Sequence, residues 1–259
     1  MSRLSFNYAQ ERCVRLAGKA MQSTDMIYPG ARIGVAVSGG VDSWVLLQVL
    51  KIRQRIVPFH FDIMALHVNP GFDVTSHAPL LPWVQANGVA AHVEVTDHGP
   101  RGHSPENRNR SACFYCAMLR RKRLFGLCTH YGLTHLAFGH NADDLVSTFF
   151  MNMFQGGRVD GMSMKEPFFG GALMVIRPLM LVEKKLIIKA AKTWELPVWS
   201  NPCPSAMNGT RRSSVLEDVE NLCREHKERK KNIFNALCRW QHGLHLAAGK
   251  QAGPEAEEE

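Results

Sequence analysis

The chain has 259 residues, 45% of them apolar, which suffices for one substantial core and excludes a disulfide-stapled miniprotein and a wholly disordered chain. Lys and Arg total 31 against 23 Asp and Glu, so the formal charge of +8 favours a polyanionic partner. No apolar run reaches the roughly 18 residues that a membrane span needs, and the N-terminal sequence predicts no export signal. We therefore expect a cytoplasmic protein without membrane contact.

The chain begins with an amphipathic helical pattern over 7–22 and then alternates short β-rich runs with longer helical patterns. The predicted strands are Ile33–Val37, Ile63–Val68, Ala91–Val95, Leu133–Phe138 and Met174–Ile176. The predicted helices among them are Ser43–Ile56, His77–Asn87, Cys113–Tyr131, Asp143–Phe154 and Glu183–Trp194. This alternation predicts an α/β fold in which a parallel twisted sheet carries helices on both faces.

Other stretches depart from this alternation. Glycine, proline and polar residues predict loops over Asp97–Ser111 and Gln155–Gly171. A further helical pattern covers Ser213–Cys238, and the acidic end of the chain has the composition of a disordered tail. We therefore expect four parts: an N-terminal helical segment, the main domain, a C-terminal helical segment and a tail, over 1–28, 29–212, 213–246 and 247–259.

A glycine pair directly follows the first predicted strand and precedes a predicted helix, in the sequence Ser38-Gly39-Gly40-Val41-Asp42-Ser43. Glycines at a helix N-terminus leave backbone N–H groups open to a phosphate, and the two serines add hydroxyl donors. The sequence matches neither the Walker pattern nor the dinucleotide-binding pattern. The strand, loop and helix in succession thus predict a phosphate site of another kind, in preference to a plain capped turn.

Seven cysteines form an odd set, and in a reducing compartment they are expected to be ligands, catalytic groups or core residues. Cys113 and Cys116 have C-x-x-C spacing at the start of a basic helix, which fits a redox pair, half a zinc site or half an iron–sulfur site. Cys203, between two prolines, is the candidate third ligand. Three thiols without a fourth ligand favour a cubane cluster with one open iron over a closed structural zinc. The remaining cysteines are predicted to pack in the core: Cys13, Cys128, Cys223 and Cys238.

An acidic pair opens the helix after the fourth predicted strand, in the sequence Gly139-His140-Asn141-Ala142-Asp143-Asp144. Carboxylates at this position are commonly helix caps. The carboxyl ends of parallel strands, however, share one edge of the sheet, so either Asp could hold Mg²⁺ or act as a base beside the phosphate loop. Arg120 and Arg177 could neutralise charge that develops on a phosphate or on sulfur, or could form surface ion pairs.

In this combination the motifs resemble the PP-loop ATP pyrophosphatase superfamily and, within it, the tRNA 2-thiocytidine biosynthesis family more than its 2-thiouridine relatives. The glycine-pair loop, the C-x-x-C pair and the acidic pair carry the resemblance. Further matching segments are Met26–Gly30, Leu119–Arg121, Phe149–Asn152, Gly156–Gly157, Arg177–Leu179 and the turn at Cys203. The zinc-ribbon cysteine pairs of the 2-thiouridine relatives are absent from the sequence.

The resemblance implies an enzyme that splits ATP between the α and β phosphates, adenylates a pyrimidine carbonyl of tRNA, first of all in cytidine, and then transfers sulfur. The implied cofactors are ATP, Mg²⁺ and a [4Fe–4S] cluster on Cys113, Cys116 and Cys203. Asp143 is implied as the first candidate for catalysis, followed by Asp144, with Asp42 and Arg120 in support. The implied ATP-binding residues are Val37, Ser38, Gly39, Gly40, Asp42, Ser43, His67, Gly139, His140 and Arg177.

The implied partners are tRNA, a sulfur donor (sulfide or a persulfide from a cysteine desulfurase) and a second copy of the chain. Two features depart from the family: Val41 stands where its loop usually has Lys, and no second Cys lies close to Cys203. Two other hypotheses stay open. One is a PP-loop enzyme with another acceptor, such as a lysidine synthetase or a small-molecule sulfur enzyme, and the other is a non-catalytic nucleotide- or metal-binding module.

Overall fold

A computed structural model of the chain describes residues 5–108, 111–200, 202–204 and 211–243. The strands are β1 (Arg32–Ala36), β2 (Asp62–Asn69), β3 (Ala90–Val95), β4 (His135–Ala137), β5 (Lys165–Phe168) and β6 (Leu173–Ile176). The helices are α1 (Tyr8–Ser23), α2 (Val41–Arg53), α3 (Leu80–Ala86), α4 (His98–Gly102), α5 (Ala112–His130), α6 (Ala142–Gly156), α7 (Lys184–Thr193), α8 (Arg211–Cys223) and α9 (Lys227–His242). Among these helices, none has the length and apolar character needed to cross a membrane.

The strands form one sheet in the order β3-β2-β1-β4-β6-β5, parallel except for β5. The predicted α/β fold is confirmed. Strands β2 and β3 lie on one side of β1, and β4 lies on its other side. Such a reversal of strand order leaves a crevice at the carboxyl ends of the two central strands, where α/β proteins bind ligands. The segments that follow β1 and β4 therefore face each other across this crevice.

Two apolar layers enclose the sheet. Helices α1, α2 and α7 pack together on one face, over side chains such as Ile33 and Val35. Helix α5 covers the other face, where Leu124, Leu127 and Leu66 belong to one buried apolar cluster. All four cysteines that were predicted to pack in the core are buried, and burial raises the pKa of three of their thiols to about 12: Cys13, Cys128 and Cys238.

The interpretation of Gln155–Gly171 as a loop is wrong in its second half. Lys165–Phe168 forms the antiparallel edge strand β5, which a short turn joins to β6. Pro167 and the following glycines suggested a loop, but an edge strand tolerates proline because one side of its backbone lacks a partner strand. The first predicted loop, Asp97–Ser111, likewise contains the short helix α4, and 109–110 lie outside the described residues.

The interpretation of Ser213–Cys238 as one helix is also wrong. The helix ends at Cys223, a turn follows, and α9 begins at Lys227. The break lets both α8 and α9 pack on α6, so that Val219 and Leu237 both reach the core. A straight helix would have carried one of them away from it. Residues 244–259, with the whole predicted tail, lie outside the described part of the chain.

Two central strands carry buried histidines. His67 in β2 and His135 in β4 are each 1% exposed. Burial is the main reason why the pKa of each imidazole falls from 6.5 to about 4. The His67 Nδ1 donates a hydrogen bond of 2.7 Å to the Val37 carbonyl, which partly opposes this shift. Both rings are therefore neutral in the folded protein at pH 7.

We predict that the free energy of unfolding decreases as the pH falls from about 6.5 to 4. In this window the unfolded chain binds protons on both imidazoles and the folded chain does not, so each histidine contributes up to about 1.4 kcal/mol per pH unit. Denaturant unfolding at several pH values measures the slope. His67→Asn keeps an amide donor for the Val37 carbonyl and should remove the contribution of one histidine from the slope. An unchanged slope would contradict the prediction.

Candidate active site

The loop Ser38–Ser43 joins β1 to α2 and is held by its own serines. Ser43 Oγ accepts the Ser38 N–H at 3.1 Å and donates to the Gly40 carbonyl at 2.8 Å. Ser38 Oγ lies 3.3 Å from Ser43 Oγ. These bonds fold the loop over the N-terminus of α2, where backbone N–H groups and the positive helix end favour an anion.

Gly39 has the backbone conformation that this loop needs, with φ +92°. Its carbonyl accepts the backbone N–H of Trp199 at 3.0 Å, and the Trp199 indole lies against Gly39. A Cβ at this position would lie 2.3 Å from the Trp199 ring. Glycine is therefore required twice, by the positive φ and by the close approach of the indole.

The Asp42 carboxylate stands in the first turn of α2 and bonds to two other elements. Its Oδ1 accepts a hydrogen bond of 3.1 Å from Asn141 Nδ2, just before α6. Its Oδ2 forms an ion pair with Lys184 Nζ, at the start of α7. Asp42 thus joins the N-termini of three helices, and its side chain remains 27% exposed.

Asn141 caps α6 and fixes the orientation of the acidic pair. Its Oδ1 accepts the backbone N–H groups of Asp143 at 2.9 Å and Asp144 at 3.3 Å, and Asp144 Oδ2 accepts the Asn141 N–H at 3.0 Å. This reciprocal capping box satisfies N–H groups that have no partner within the helix. Asp143 and Asp144 consequently point in different directions.

Asp143 is directed towards α7 and α9. Its Oδ2 accepts the Lys184 N–H at 2.8 Å and its Oδ1 accepts Lys230 Nζ at 2.5 Å. Burial lowers the pKa of Lys230, but the hydrogen bond and the charge of Asp143 together outweigh this effect and raise it. The Asp143 side chain, 16% exposed, is therefore committed to an ion pair that attaches α9 to α6.

Asp144, by contrast, lines a cleft of about 310 Å³ at the crevice between β1 and β4. The loop and α5 form two of its walls. Seven predicted site residues line it: Ser38, Asp42, Ser43, Arg120, Gly139, His140 and Asp144. Arg121 lines it too. The cleft thus brings the predicted phosphate loop, one of the two acidic residues and two arginines of the cysteine helix together.

Other predicted residues lie outside the lining of this cleft. Val37 and His67 are buried behind the loop, at 2% and 1% exposure. Arg177 donates to the Ser163 carbonyl at 2.5 Å and to Glu166 Oε2 at 3.1 Å, so it attaches the segment leading into β5. Burial lowers the pKa of this guanidinium, which Glu166 opposes. In the structure Arg177 is therefore paired with Glu166 and the Ser163 carbonyl, outside the lining of the cleft.

The first turn of α5 carries the cysteine pair. Ser111 caps this helix by accepting the Phe114 N–H at 3.2 Å, with Cys113 exposed and Cys116 half-buried. Burial raises the pKa of the Cys116 thiol; the Cys203 and Cys113 thiols raise it further, and Arg120 lowers it. Cys113 and Cys203 therefore both lie within electrostatic range of Cys116.

All three predicted cluster ligands offer sulfur as their donor atom. Within the described residues, no three His, Cys, Asp or Glu side chains are placed to hold one metal ion. In a cubane cluster each thiolate binds a different iron, so its ligands lie further apart than those of one ion. Sulfur is also the donor that iron–sulfur clusters require. The donor type of the three cysteines is thus compatible with the predicted cluster.

Arg120 connects the cysteines with the cleft. It follows Cys116 by one helical turn and lines the cleft next to the phosphate loop. Burial lowers the pKa of its guanidinium, and Cys116 opposes that shift. Its Nε is buried and has no hydrogen-bond partner within the described residues. A cation with an unused donor at this place suits a negatively charged ligand.

Sequence reasoning missed three residues of the site: Trp199, Lys184 and the capping role of Asn141. The sequence offered a signal for Asn141, because Asn followed three residues later by an acidic residue indicates a cap. Lys184 and Trp199 are separated from the loop by more than a hundred residues of sequence. Only the packing of α7 on α2 brings them to it.

The fold and the glycine-pair loop define a PP-loop nucleotide-binding protein, and a family model described as the PP-loop domain matches residues 11–202. A tRNA-cytidine(32) 2-sulfurtransferase of Bordetella pertussis is 34% identical over 243 residues, which are 92% of this chain and 74% of that protein. The protein of that name from Citrifermentans bemidjiense is 33% identical over 230 residues, 88% of this chain and 90% of its own.

The U34-tRNA thiolase NcsA of Methanococcus maripaludis, solved with its [4Fe-4S] cluster, shares the fold: the TM-score is 0.71, at 22% identity, over 92% of this chain and 82% of that one. The chain belongs to the tRNA-cytidine(32) 2-sulfurtransferase family of PP-loop proteins.

We predict that Gly139→Ala disrupts the site, whereas Gly126→Ala does not. A Cβ at Gly139 would lie 2.9–3.0 Å from backbone atoms of Asp42 and Ser43, which cannot move without displacing the loop. At Gly126, in α5, the nearest atom is 3.9 Å away on the Arg123 side chain, and alanine there should stabilise the helix by roughly 0.5–1 kcal/mol. Thermal unfolding and ATP titration of both variants test this prediction; normal ATP binding by Gly139→Ala would contradict it.

Proposed function

We propose that this protein is an ATP-dependent, iron–sulfur-dependent tRNA thiolase that replaces the 2-oxygen of cytidine, at position 32, with sulfur. One observation carries the proposal: the phosphate loop and the helix that begins with Cys113 and Cys116 line the same cleft. A lysidine synthetase-like amino transfer would have no use for a cysteine pair on a helix that lines this cleft. Membership in the sulfurtransferase family supports the choice of substrate.

In the first step ATP occupies the cleft, with its phosphates on the backbone N–H groups and hydroxyls of Ser38–Ser43. The cytidine carbonyl oxygen attacks the α phosphate, and pyrophosphate leaves. Asp42 is suited to hold Mg²⁺ on the phosphates, since Mg²⁺ prefers carboxylate and phosphate oxygens. Arg120 and Arg121 line the cleft where they can stabilise the charge that develops during this transfer. Adenylation makes the carbonyl oxygen part of a good leaving group, AMP.

In the second step a sulfur nucleophile attacks C2 of the adenylated base and AMP leaves with the former carbonyl oxygen. Cys113, Cys116 and Cys203 would hold a [4Fe–4S] cluster, and such a cluster would supply iron with an affinity for sulfur. Arg120, next to Cys116, neutralises negative charge on that side of the cleft. The attacking hydrosulfide must lose its proton to give the C=S group, and we favour Asp144, which lines the cleft, over Asp143 as the base that accepts it.

The same proposal covers partners and organisation. The sulfur comes from sulfide, or from a cysteine desulfurase persulfide that a thiol reductant reduces by two electrons to release the sulfur as sulfide, and the enzyme acts in the cytoplasm as a homodimer. Residues 29–212 form the catalytic domain, with helical segments over 1–28 and 213–246. Basic side chains on α5 and α9 suit the tRNA backbone, because phosphate contacts dominate nucleic-acid affinity. The formal charge of +8 supports this role.

We predict about four iron and four acid-labile sulfide per chain after anaerobic purification, and their loss in Cys203→Ser. Cys128→Ser is the matched control, because Cys128 lies buried in the same helix as the cysteine pair but away from the cleft. It should keep the iron. Zinc in place of iron, or full iron in Cys203→Ser, would overturn the assignment.

A further inference from the structure

The phosphate loop has no cationic side chain of its own. Between Ser38 and Ser43 the chain has serine, glycine, valine and aspartate alone. The cation that touches the loop comes from α7, where Lys184 Nζ forms an ion pair with Asp42. Arg120 and Arg121 belong to α5, which packs on the other face of the sheet. Lys184 thus places a cation on the α2 side of the phosphate site.

The position of Lys184 is fixed by its backbone. It is the first residue of α7, and its N–H donates to Asp143 Oδ2 at 2.8 Å. Because Asp143 is itself held by the cap of α6, the Lys184 side chain emerges from a defined point beside the loop. The ammonium group does not depend on a mobile surface segment for its placement.

A lysine at this position is unfavourable for the helix itself. The N-terminus of a helix carries partial positive charge and favours acidic side chains, whereas Lys stabilises the C-terminus. The pair with Asp42 offsets this repulsion in the structure. A phosphate would offset it more strongly, because it carries more negative charge and several acceptor oxygens.

The ion pair is easy to exchange. The Lys184 and Asp42 side chains are 38% and 27% exposed, and pairs of this kind contribute little net stability because solvent screens them. When Asp42 turns to Mg²⁺, Lys184 loses its carboxylate partner. Its Nζ then has three donors next to the place where the phosphates bind.

We propose that Lys184 is the phosphate-binding cation of the loop and contacts the pyrophosphate part of ATP. The proposal rests on the proposed function, since it requires that the cleft binds ATP. It explains how a loop that has Val41, where the family usually has Lys, can still hold a polyphosphate. Lys184 acts as a point charge supplied by a distant helix, in the manner of other phosphate-binding lysines.

The test is calorimetric titration of ATP and of AMP, with Mg²⁺, into the full chain and its Lys184→Met variant. A charge-assisted hydrogen bond to phosphate corresponds to a roughly ten- to hundredfold weaker ATP affinity when it is lost. AMP lacks the β and γ phosphates, so its Kd should change by much less. If Lys184 served folding alone, its loss would weaken the binding of ATP and of AMP by the same factor.

Lys185→Met is the matched control, because Lys185 is the next residue, is 71% exposed and pairs with Glu183 rather than with the loop. It should bind ATP as the unchanged protein does. Val41→Lys in the Lys184→Met background should restore much of the ATP affinity, since it returns a cation to the loop. Lys184→Arg, which keeps the charge, should bind better than Lys184→Met.

The possible outcomes separate the two proposals. If the unchanged protein binds no ATP, the proposed function fails and the role of Lys184 fails with it. If the unchanged protein binds ATP and Lys184→Met binds it equally well, the role of Lys184 fails alone. Equal losses for ATP and AMP also overturn it. A selective loss for ATP, repaired by Val41→Lys, supports it.

Discussion

The Asp42 carboxylate is the point at which three helix N-termini meet in the site. It lies in the first turn of α2, accepts a hydrogen bond from the cap of α6 and pairs with the first residue of α7. These helices start at the carboxyl edge of the sheet, where their positive ends would repel one another without an anion between them. Asp143 extends the arrangement to α9 through Lys230. The two carboxylates thus connect the N-termini of α2, α6 and α7 with one another and with α9.

The acidic pair shows how neighbours in sequence acquire different roles. Successive residues of a helix project about 100° apart, so Asp143 and Asp144 face different surroundings. Asp143 is committed to backbone and lysine partners between helices, and Asp144 lines the cleft. The sequence predicts carboxylates at this edge of the sheet, with Asp143 as the first candidate for catalysis. The choice depends on α9, whose position no local pattern could indicate.

The central sheet was predictable because its signals are local. The strands that pair in parallel have short β-rich runs, and the glycine pair after β1 marks the phosphate loop from a few residues. Strand β5 was missed because it is short, contains Pro167 and is stabilised by pairing along one edge. Lys184 and Trp199 were missed because their contacts with the loop span most of the chain. Local chemistry thus predicted the loop, and tertiary packing supplied its partners.

The central claim is that one cleft couples ATP cleavage to sulfur transfer. The most direct measurement is made on a reaction of the anaerobically purified protein with ATP, Mg²⁺, sulfide and tRNA that lacks the modification. Mass spectrometry then quantifies the nucleotides and the 2-thiocytidine that are formed. The account predicts AMP and pyrophosphate, with one AMP formed for each 2-thiocytidine. Formation of ADP and phosphate, or of AMP without any thiolated cytidine, would contradict it.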